Sequence, residues 1–363
     1  MKHLPICGRP TFIEITPRRG KCEDCDGGAT TTQQANWYER NSEYTKAYEK
    51  HAVISLIHST IADVAIKEDL SCAAVQGIID RHVVTEVNWD QIKKIGLLGI
   101  DEISLKKGFR DFVTVLTAKT EAEVQMLGVL KGREKATVTA FLKTMPKRLR
   151  RTISAVCTDM YEGFINGARE ALGQDIPVII DRFHVAQLYR KGFVQIRKSE
   201  LKRLQKELSR EEYQRLKPAI AVLCRKNPFP SADEKKLLKR LFKHSPALKA
   251  AHRFTCEFTK IYNSHLSVKE AHEQITQWIQ AVEASELTCF NTFIKTLKKY
   301  QTEIVGYFKN RYSSGFVEGI NNKLKVLKRR CYGIWNLNHL FQRAFLDISG
   351  YHFFKQNQAL ELA

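Results

Sequence analysis

At 363 residues the chain is long enough for two or three domains and a sizeable core, and its hydrophobic share of 43% is ordinary for a soluble globular protein. No stretch approaches the roughly 18 consecutive apolar residues of a membrane span, and the N-terminus MKHLPICGRPTF lacks the apolar run of a signal peptide. A formal net charge of +20 points to an anionic partner, and nucleic acid comes before a membrane surface because no long basic amphipathic helix stands out.

The nine cysteines are odd in number and several, such as Cys157 and Cys289, sit in apolar surroundings. They read as reduced, buried thiols, so a cytosolic setting is expected.

Residues 1–40 are short on periodicity, rich in Gly, Thr and Arg, and carry Cys22-Glu-Asp-Cys25. Residues 41–90 predict a small helical domain. Tyr44, Tyr48, Ala52, Ile54 and Ile57 space a helix over 44–59, and a second follows over 60–70. Ser71 is the N-cap of a third, over 72–82, with Ala74, Val75, Ile78 and Ile79 apolar. Two short helices on a tight link in a basic chain suggest a helix-turn-helix that binds DNA; a plain three-helix linker is the alternative.

Residues 91–191 change to strand behaviour. The apolar run 95–100 leads into Asp101-Glu102, Lys107-Gly108 offers a turn, and 109–118 and 123–130 give two further strands. A helix is expected over 134–144, then a strand over 153–158 that delivers Asp159. A helix over 161–172 and a strand over 178–180 that delivers Asp181 follow. The order βββαβαβ predicts mixed α/β structure, an antiparallel meander followed by strands reached through helical crossovers. Residues 192–310 are helical and very basic, broken at Asn227-Pro-Phe-Pro230 and Ser245-Pro246, and read as an all-helical insertion or an independent domain. Residues 311–363 give a Tyr-Ser-Ser-Gly loop, a helix over 316–330 and a last helix over 337–354.

Asp101 and Asp159 each stand at the end of an apolar strand. A charge there is costly unless it is paired or bound to metal. Each alone reads as a turn or cap residue; together they suggest carboxylates that converge on hard divalent cations, as two-metal cleavage of phosphodiesters requires. Glu318 opens a helix whose positions at about four, seven and eleven residues on are Asn322, Lys325 and Arg329. That face offers a carboxylate, an amide and two cations; an ordinary N-terminal Glu on a solvated helix is the plainer account.

The segments GIDEISLKKG around Asp101, CTDMYEGF around Asp159, VIIDRFHVAQ around Asp181 and SSGFVEGINNKLKVLKRRCYG around Glu318 resemble those of DDE transposases of bacterial insertion sequences, specifically the ISL-three family. The resemblance covers nearly the whole chain. It implies a ribonuclease-H-like catalytic core, 91–191 and 311–363, with the helical insertion 192–310 between the second and third acids. Before it stand the helix-turn-helix-type domain 41–90 and a partial zinc-ribbon-like segment 1–40. It implies Asp101, Asp159 and Glu318 as the acidic triad holding Mg²⁺ or Mn²⁺, and Lys325 as the basic residue two helical turns beyond the glutamate. Asp181 and His184, in a D-x-x-H element, are implied to support the site or the DNA; a structural Asp–His hydrogen bond is the alternative. The implied reaction is transesterification: water releases a 3′-hydroxyl at the element's end, which then attacks target DNA, with two or more subunits acting on the two ends.

Members of this family usually begin with two C-x-x-C pairs, and here only Cys22 and Cys25 form one. Cys7, in LPICGRP, falls where the linker between pairs lies, so the chain reads as starting after the first pair. Tetrahedral zinc needs four ligands. A set of His3, Cys7, Cys22 and Cys25 is the alternative. The runs 143–151, 191–206, 235–243 and 323–330 are dense in cations and are candidate phosphate contacts or solvated faces. Arg329 and Arg330 are candidate DNA contacts, and Trp335 is either a stacking platform for an unpaired base or a core residue. Two rivals remain from sequence alone: a decayed or domesticated DNA-binding remnant, and a nuclease that cuts without joining.

Overall fold

The computed structural model describes residues 1–24, 28, 30–104, 112–120, 123–225 and 229–361, with side chains left out at 352, 353 and 355–361. Two small antiparallel hairpins open the chain, β1 (Lys2–Ile6) with β2 (Arg9–Phe12) and β3 (Arg19–Lys21) with β4 (Thr30–Thr32). Three helices follow: α1 (Lys46–Ser55), α2 (Ile61–Glu68) and α3 (Cys72–His82). Hydroxyl caps start all three, Thr45 on the Tyr48 amide, Thr60 in a reciprocal capping box with Asp63, and Ser71 on the Ala74 amide. Glu49, buried in α1, accepts from Arg81 at 2.6 Å and faces His82 at 3.0 Å, which locks α1 onto the end of α3.

The central sheet has five strands: β5 (Gly96–Ser104), β6 (Phe112–Lys119), β7 (Val124–Lys131), β8 (Ile153–Thr158) and β9 (Val178–Ile180). Its order is β7-β6-β5-β8-β9. The first three run antiparallel, while β8 and β9 lie parallel to β5. Parallel neighbours need crossovers. These are supplied by α4 (Lys135–Thr144) with the short α5 (Lys147–Arg150), and by α6 (Glu162–Leu172). The first half of β5 and most of β8 and β9 are apolar on both faces, as strands between helical layers are.

A single helix, α7 (Arg182–Glu207), leaves β9 and runs unbroken across position 191 into the helical region. That region holds α8 (Arg210–Leu223), α9 (Ala232–His244), α10 (Pro246–Asn263) and α11 (Val268–Glu283). A 3₁₀ turn (Thr288–Phe290) and three short helices, α12 (Asn291–Lys299), α13 (Gln301–Val305) and α14 (Tyr307–Asn310), bring the chain back. Its core is aromatic: Phe258 meets Trp278 at 4.8 Å and Phe293 at 4.9 Å between ring centroids, edge to face.

α15 (Gly315–Arg330) then lies on the sheet, burying Val317, Ile320, Asn321, Leu324 and Leu327. The spacing of three and four residues is that of one helical face. α16 (Leu337–Glu361) closes the fold. Leu346 and Phe354 of α16 belong to the apolar core of α1–α3, so the N-terminal helical unit is completed by the end of the chain. No helix among the described residues is long and apolar enough to cross a membrane.

Candidate active site

Asp101 and Asp159 follow a register pair: Ile100 of β5 lies opposite Thr158 of β8 in the parallel ladder, and an aspartate comes next in each. Asp159 stands just past the end of β8, whereas Asp101, expected at a strand end, lies inside β5 because that strand stays paired with β6 through Ser104. Both are half-buried, and each carboxyl is perturbed. Burial pushes Asp159 up to about 6, and the Asp101 charge pushes the same way. Burial raises Asp101 as well, and the neighbouring Glu102 charge adds to it. The charge of His184, in the first turn of α7, opposes the rise at both. Two carboxylates in one low-dielectric spot cannot both ionise cheaply, and a cation between them removes that cost.

The two differ in their hydrogen bonds. Asp101 Oδ1 accepts the Glu102 amide at 2.8 Å, and Oδ2 accepts Asn321 Nδ2 at 2.7 Å. Asp159 Oδ1 is buried without a hydrogen-bond partner among the described residues. A buried acceptor left unpaired costs about 1–3 kcal/mol, more when charged. An orphaned carboxylate oxygen beside a second carboxylate fits a hard divalent cation, for which oxygen is the preferred ligand.

Glu318 is placed differently. It is exposed on α15, one turn before Asn321, and Asn322, Lys325 and Arg329 are exposed on the same side of the helix. Among the described residues no three His, Cys, Asp or Glu side chains stand close enough to hold a metal ion. The structure thus joins Asp101 to Asp159 and brings α15 to them through Asn321 rather than through Glu318. Gly99 permits that approach: a Cβ there would overlap Val317 Cγ2 and lie 2.5 Å from Thr117 Oγ1 and 2.8 Å from Phe316 Cε2. Any side chain at 99 would push α15 off β5.

Asp181 is buried and serves as a strut. Its Oδ1 caps α7 through the Phe183 amide at 2.5 Å, and its Oδ2 accepts both the Ser314 amide and the Ser314 hydroxyl, the latter at 2.7 Å. The bonds recorded for Asp181 go to Phe183 and Ser314, not to His184, so the aspartate of the D-x-x-H element pins the loop that starts α15.

Arg329 Nε donates to the Lys325 carbonyl at 3.3 Å, and Arg330 is ion-paired with Asp347 of α16. Trp335 is 59% exposed and Tyr332 97% exposed, so neither is a core residue. Both border a cleft of about 860 Å³ between α2 and the α15–α16 connection. At the N-terminus, Cys22 is partly buried and Cys7 exposed, and His3 Nδ1 is engaged with Thr45 Oγ1 at 2.9 Å. Cys25 lies outside the described residues, as do Lys107 and Gly108.

Sequence reasoning missed four residues: Asn321, Glu102, Ser314 and Arg133. For Asn321 the signal was present, because a residue three positions after Glu318 shares its face as well as one four positions after. Arg133 reaches Glu102 through Nη1 at 3.1 and 3.3 Å, and its guanidinium bears on Asp159. Nothing in its local sequence marks it.

Comparison with known proteins agrees with this architecture. A family model described as Transposase, of the DDE type and the ISL-three group, matches residues 98–344. The chain is similar to the transposase for insertion sequence element IS1001 of Bordetella parapertussis, 25% identical over 345 residues, 94% of this chain and 82% of that one. It is also similar to the transposase for insertion sequence element IS1557 of Mycobacterium tuberculosis, 20% identical over 349 residues, 90% of this chain and 77% of that one. A shorter match, 32% identical over 105 residues, is to a Lactococcus lactis protein named an ATP-dependent protease and covers 28% of this chain. The chain belongs to the ISL-three family of DDE transposases. Its function is accordingly transposition, and DNA is the partner that the family implies.

Proposed function

We propose that the chain cuts and joins DNA at the ends of an insertion sequence by divalent-metal-dependent phosphoryl transfer, on a ribonuclease-H-like core. The reacting centre is Asp101 and Asp159, with Glu318 as third acid. The observation that carries this reading is the pair of half-buried, repelling carboxylates on neighbouring parallel strands, Asp101 within β5 and Asp159 just beyond β8, one with an orphaned oxygen. Mg²⁺ or Mn²⁺, when bound, supplies Lewis acidity and charge neutralisation at the scissile phosphate.

The protein's own groups do the rest. Asn321 fixes the rotamer of Asp101, and Asp159 Oδ1 stays free to ligate. Asp181 holds the start of α15, so Glu318 rides on a helix already docked at the pair. Asn322, Lys325 and Arg329 line the exposed face beside Glu318 and suit the phosphate backbone. Cleavage exchanges a P–O bond of the DNA for one to water and frees a 3′-hydroxyl. In joining, that hydroxyl attacks a target phosphodiester, so one P–O bond forms as another breaks. The unit α1–α3, with its α2–α3 pair, binds DNA, and two copies act together because an element has two ends. Cys22 and Cys25 are at most half of a zinc site.

The test is cleavage of a labelled duplex bearing the host element's end, with Mg²⁺ or Mn²⁺, by the unmodified chain and by Asp159→Asn. Cutting by the unmodified chain alone supports the centre, and joined products support strand transfer. Equal cutting by both would sink it.

A further inference from the structure

We infer that Arg133 is a catalytic residue of this centre, its guanidinium binding a non-bridging oxygen of the scissile phosphate opposite the Asp101–Asp159 pair. The inference rests on the reading of that pair as the reacting centre.

Arg133 is built into place from four directions. Gly132, at φ 81° in the region that favours glycine, turns the chain sharply out of β7. Its amide donates to the Phe112 carbonyl at 2.9 Å, and its carbonyl accepts Thr114 Oγ1 at 2.8 Å, so the root of Arg133 is tied to β6. From there the side chain reaches over β6 to β5. The guanidinium carbon lies 4.7 Å from the Phe112 ring centre and 4.9 Å from that of Tyr161, and Nη1 is bonded to both Glu102 oxygens. Two rings and a carboxylate hold a normally flexible cation, with the order that phosphate recognition requires.

The location matters as much as the order. Glu102 follows Asp101 directly, and Tyr161 stands two residues after Asp159, so two of the arginine's three holders flank the carboxylates. Arg133 is among the charges felt by Asp159. Yet its side chain remains 41% exposed. Among the described residues its hydrogen bonds run from Nη1 alone, which leaves the Nε and Nη2 donors for a ligand. The charge of Asp159 acts on Arg133 as well as that of Glu102, so the guanidinium stands within the field of the reacting pair and not of its partner alone. Negative charge grows on the phosphoryl oxygens as phosphate is transferred, and a fixed guanidinium in a partly desolvated site meets it without reorganising.

The experiment pairs a protein change with a DNA change. The unmodified chain, Arg133→Ala and Arg133→Lys are each given two duplexes of the host element's end. One is an ordinary diester; the other carries a neutral methylphosphonate at the scissile position. Single-turnover cleavage and, in EDTA, equilibrium binding by fluorescence anisotropy are both followed. On the diester, Arg133→Ala is expected to lose roughly 100- to 1,000-fold in cleavage rate, and Arg133→Lys to recover part of it. On the methylphosphonate the penalty of Arg133→Ala is expected to shrink at least tenfold, because the charge that the guanidinium meets is gone. In EDTA the ratio of diester to methylphosphonate affinity is expected to fall in Arg133→Ala. Equal penalties on the two duplexes, with an unchanged affinity ratio, would show that Arg133 only props Glu102 and would overturn the inference. Undiminished cutting by Asp159→Asn would instead remove the centre itself, whatever Arg133 does.

Discussion

The carboxylate pair makes a quantitative prediction about stability without metal. Asp159 has an ordinary value of 3.8 and is pushed up to about 6 in the folded chain by burial and by the charge of Asp101. Below about pH 3.8 it is protonated folded and unfolded, and contributes nothing. Between the two values the folded state keeps a proton that the unfolded state releases, so stability falls as pH rises. Above about 6 the penalty is constant, and the gap at 1.36 kcal/mol per unit makes it about 3 kcal/mol. Asp159→Asn removes that penalty. In EDTA at pH 8 the variant is expected to be more stable by up to about 3 kcal/mol, a rise of ~5 °C in midpoint. The advantage fades between pH 6 and pH 4. Thermal unfolding of both proteins by circular dichroism, at several pH values in EDTA, measures it. Added Mg²⁺ should raise the midpoint of the unmodified chain and leave that of the variant nearly unchanged. An advantage that is absent at pH 8, or undiminished at pH 4, would refute the reasoning.

Three further outcomes follow from the geometry. Asn321→Leu takes the 2.7 Å donor from Asp101, and is expected to lower single-turnover cleavage at least tenfold while costing only about 1–3 kcal/mol in urea unfolding. Asp181→Ala strands the Phe183 amide, the Ser314 amide and the Ser314 hydroxyl, whereas Ser314→Ala removes one bond; the first should cost at least twice the second, on the order of 2–4 against 1–2 kcal/mol, by chemical denaturation. Gly99→Ala forces a methyl group into Val317, and should destabilise by about 1–3 kcal/mol and abolish cleavage, with circular dichroism showing the secondary structure retained.

What was legible in the sequence was whatever is written locally. β8 and β9 match their expected bounds because each is an apolar run closed by an aspartate, and α3 matches because Ser71 caps it and its apolar residues keep helical spacing. The hairpins β1–β2 and β3–β4 were not legible, being three to five residues long and mostly exposed, so no alternation marks them. The strand-end expectation holds for Asp159 but not for Asp101, because β5 runs on to Ser104 in its ladder with β6; their pairing depends on register between β5 and β8, which periodicity does not encode. Asp181 could be singled out, yet its partner Ser314 lies 133 residues away, across the whole helical region. Arg133 is the extreme case, since Glu102, Phe112 and Tyr161 come from three other parts of the chain.

The same long-range bonds fix where the exposed Glu318 stands relative to the carboxylate pair. Glu318 and Asn321 are separated on an ideal helix by about 60° around the axis and about 4.5 Å along it. The helix that already delivers Asn321 to Asp101 therefore keeps Glu318 within a small rotation of the pair. Asp181 resists that rotation at the start of α15, through Ser314. At its end, Arg330 is paired with Asp347, whose Oδ1 also accepts the His58 amide at 3.0 Å. One turn earlier on α16, the buried Arg343 donates to the Leu56 and Ser59 carbonyls at 2.9 and 2.5 Å. Leu56, His58 and Ser59 all lie in the connection between α1 and α2. A displacement of the N-terminal helical unit thus bears on α15 through Asp347, and a displacement of α15 bears on the carboxylate pair through Asn321. The position of Glu318 is set by contacts at both ends of one helix, one anchored beside the sheet through Asp181 and the other to the N-terminal helical unit through Asp347.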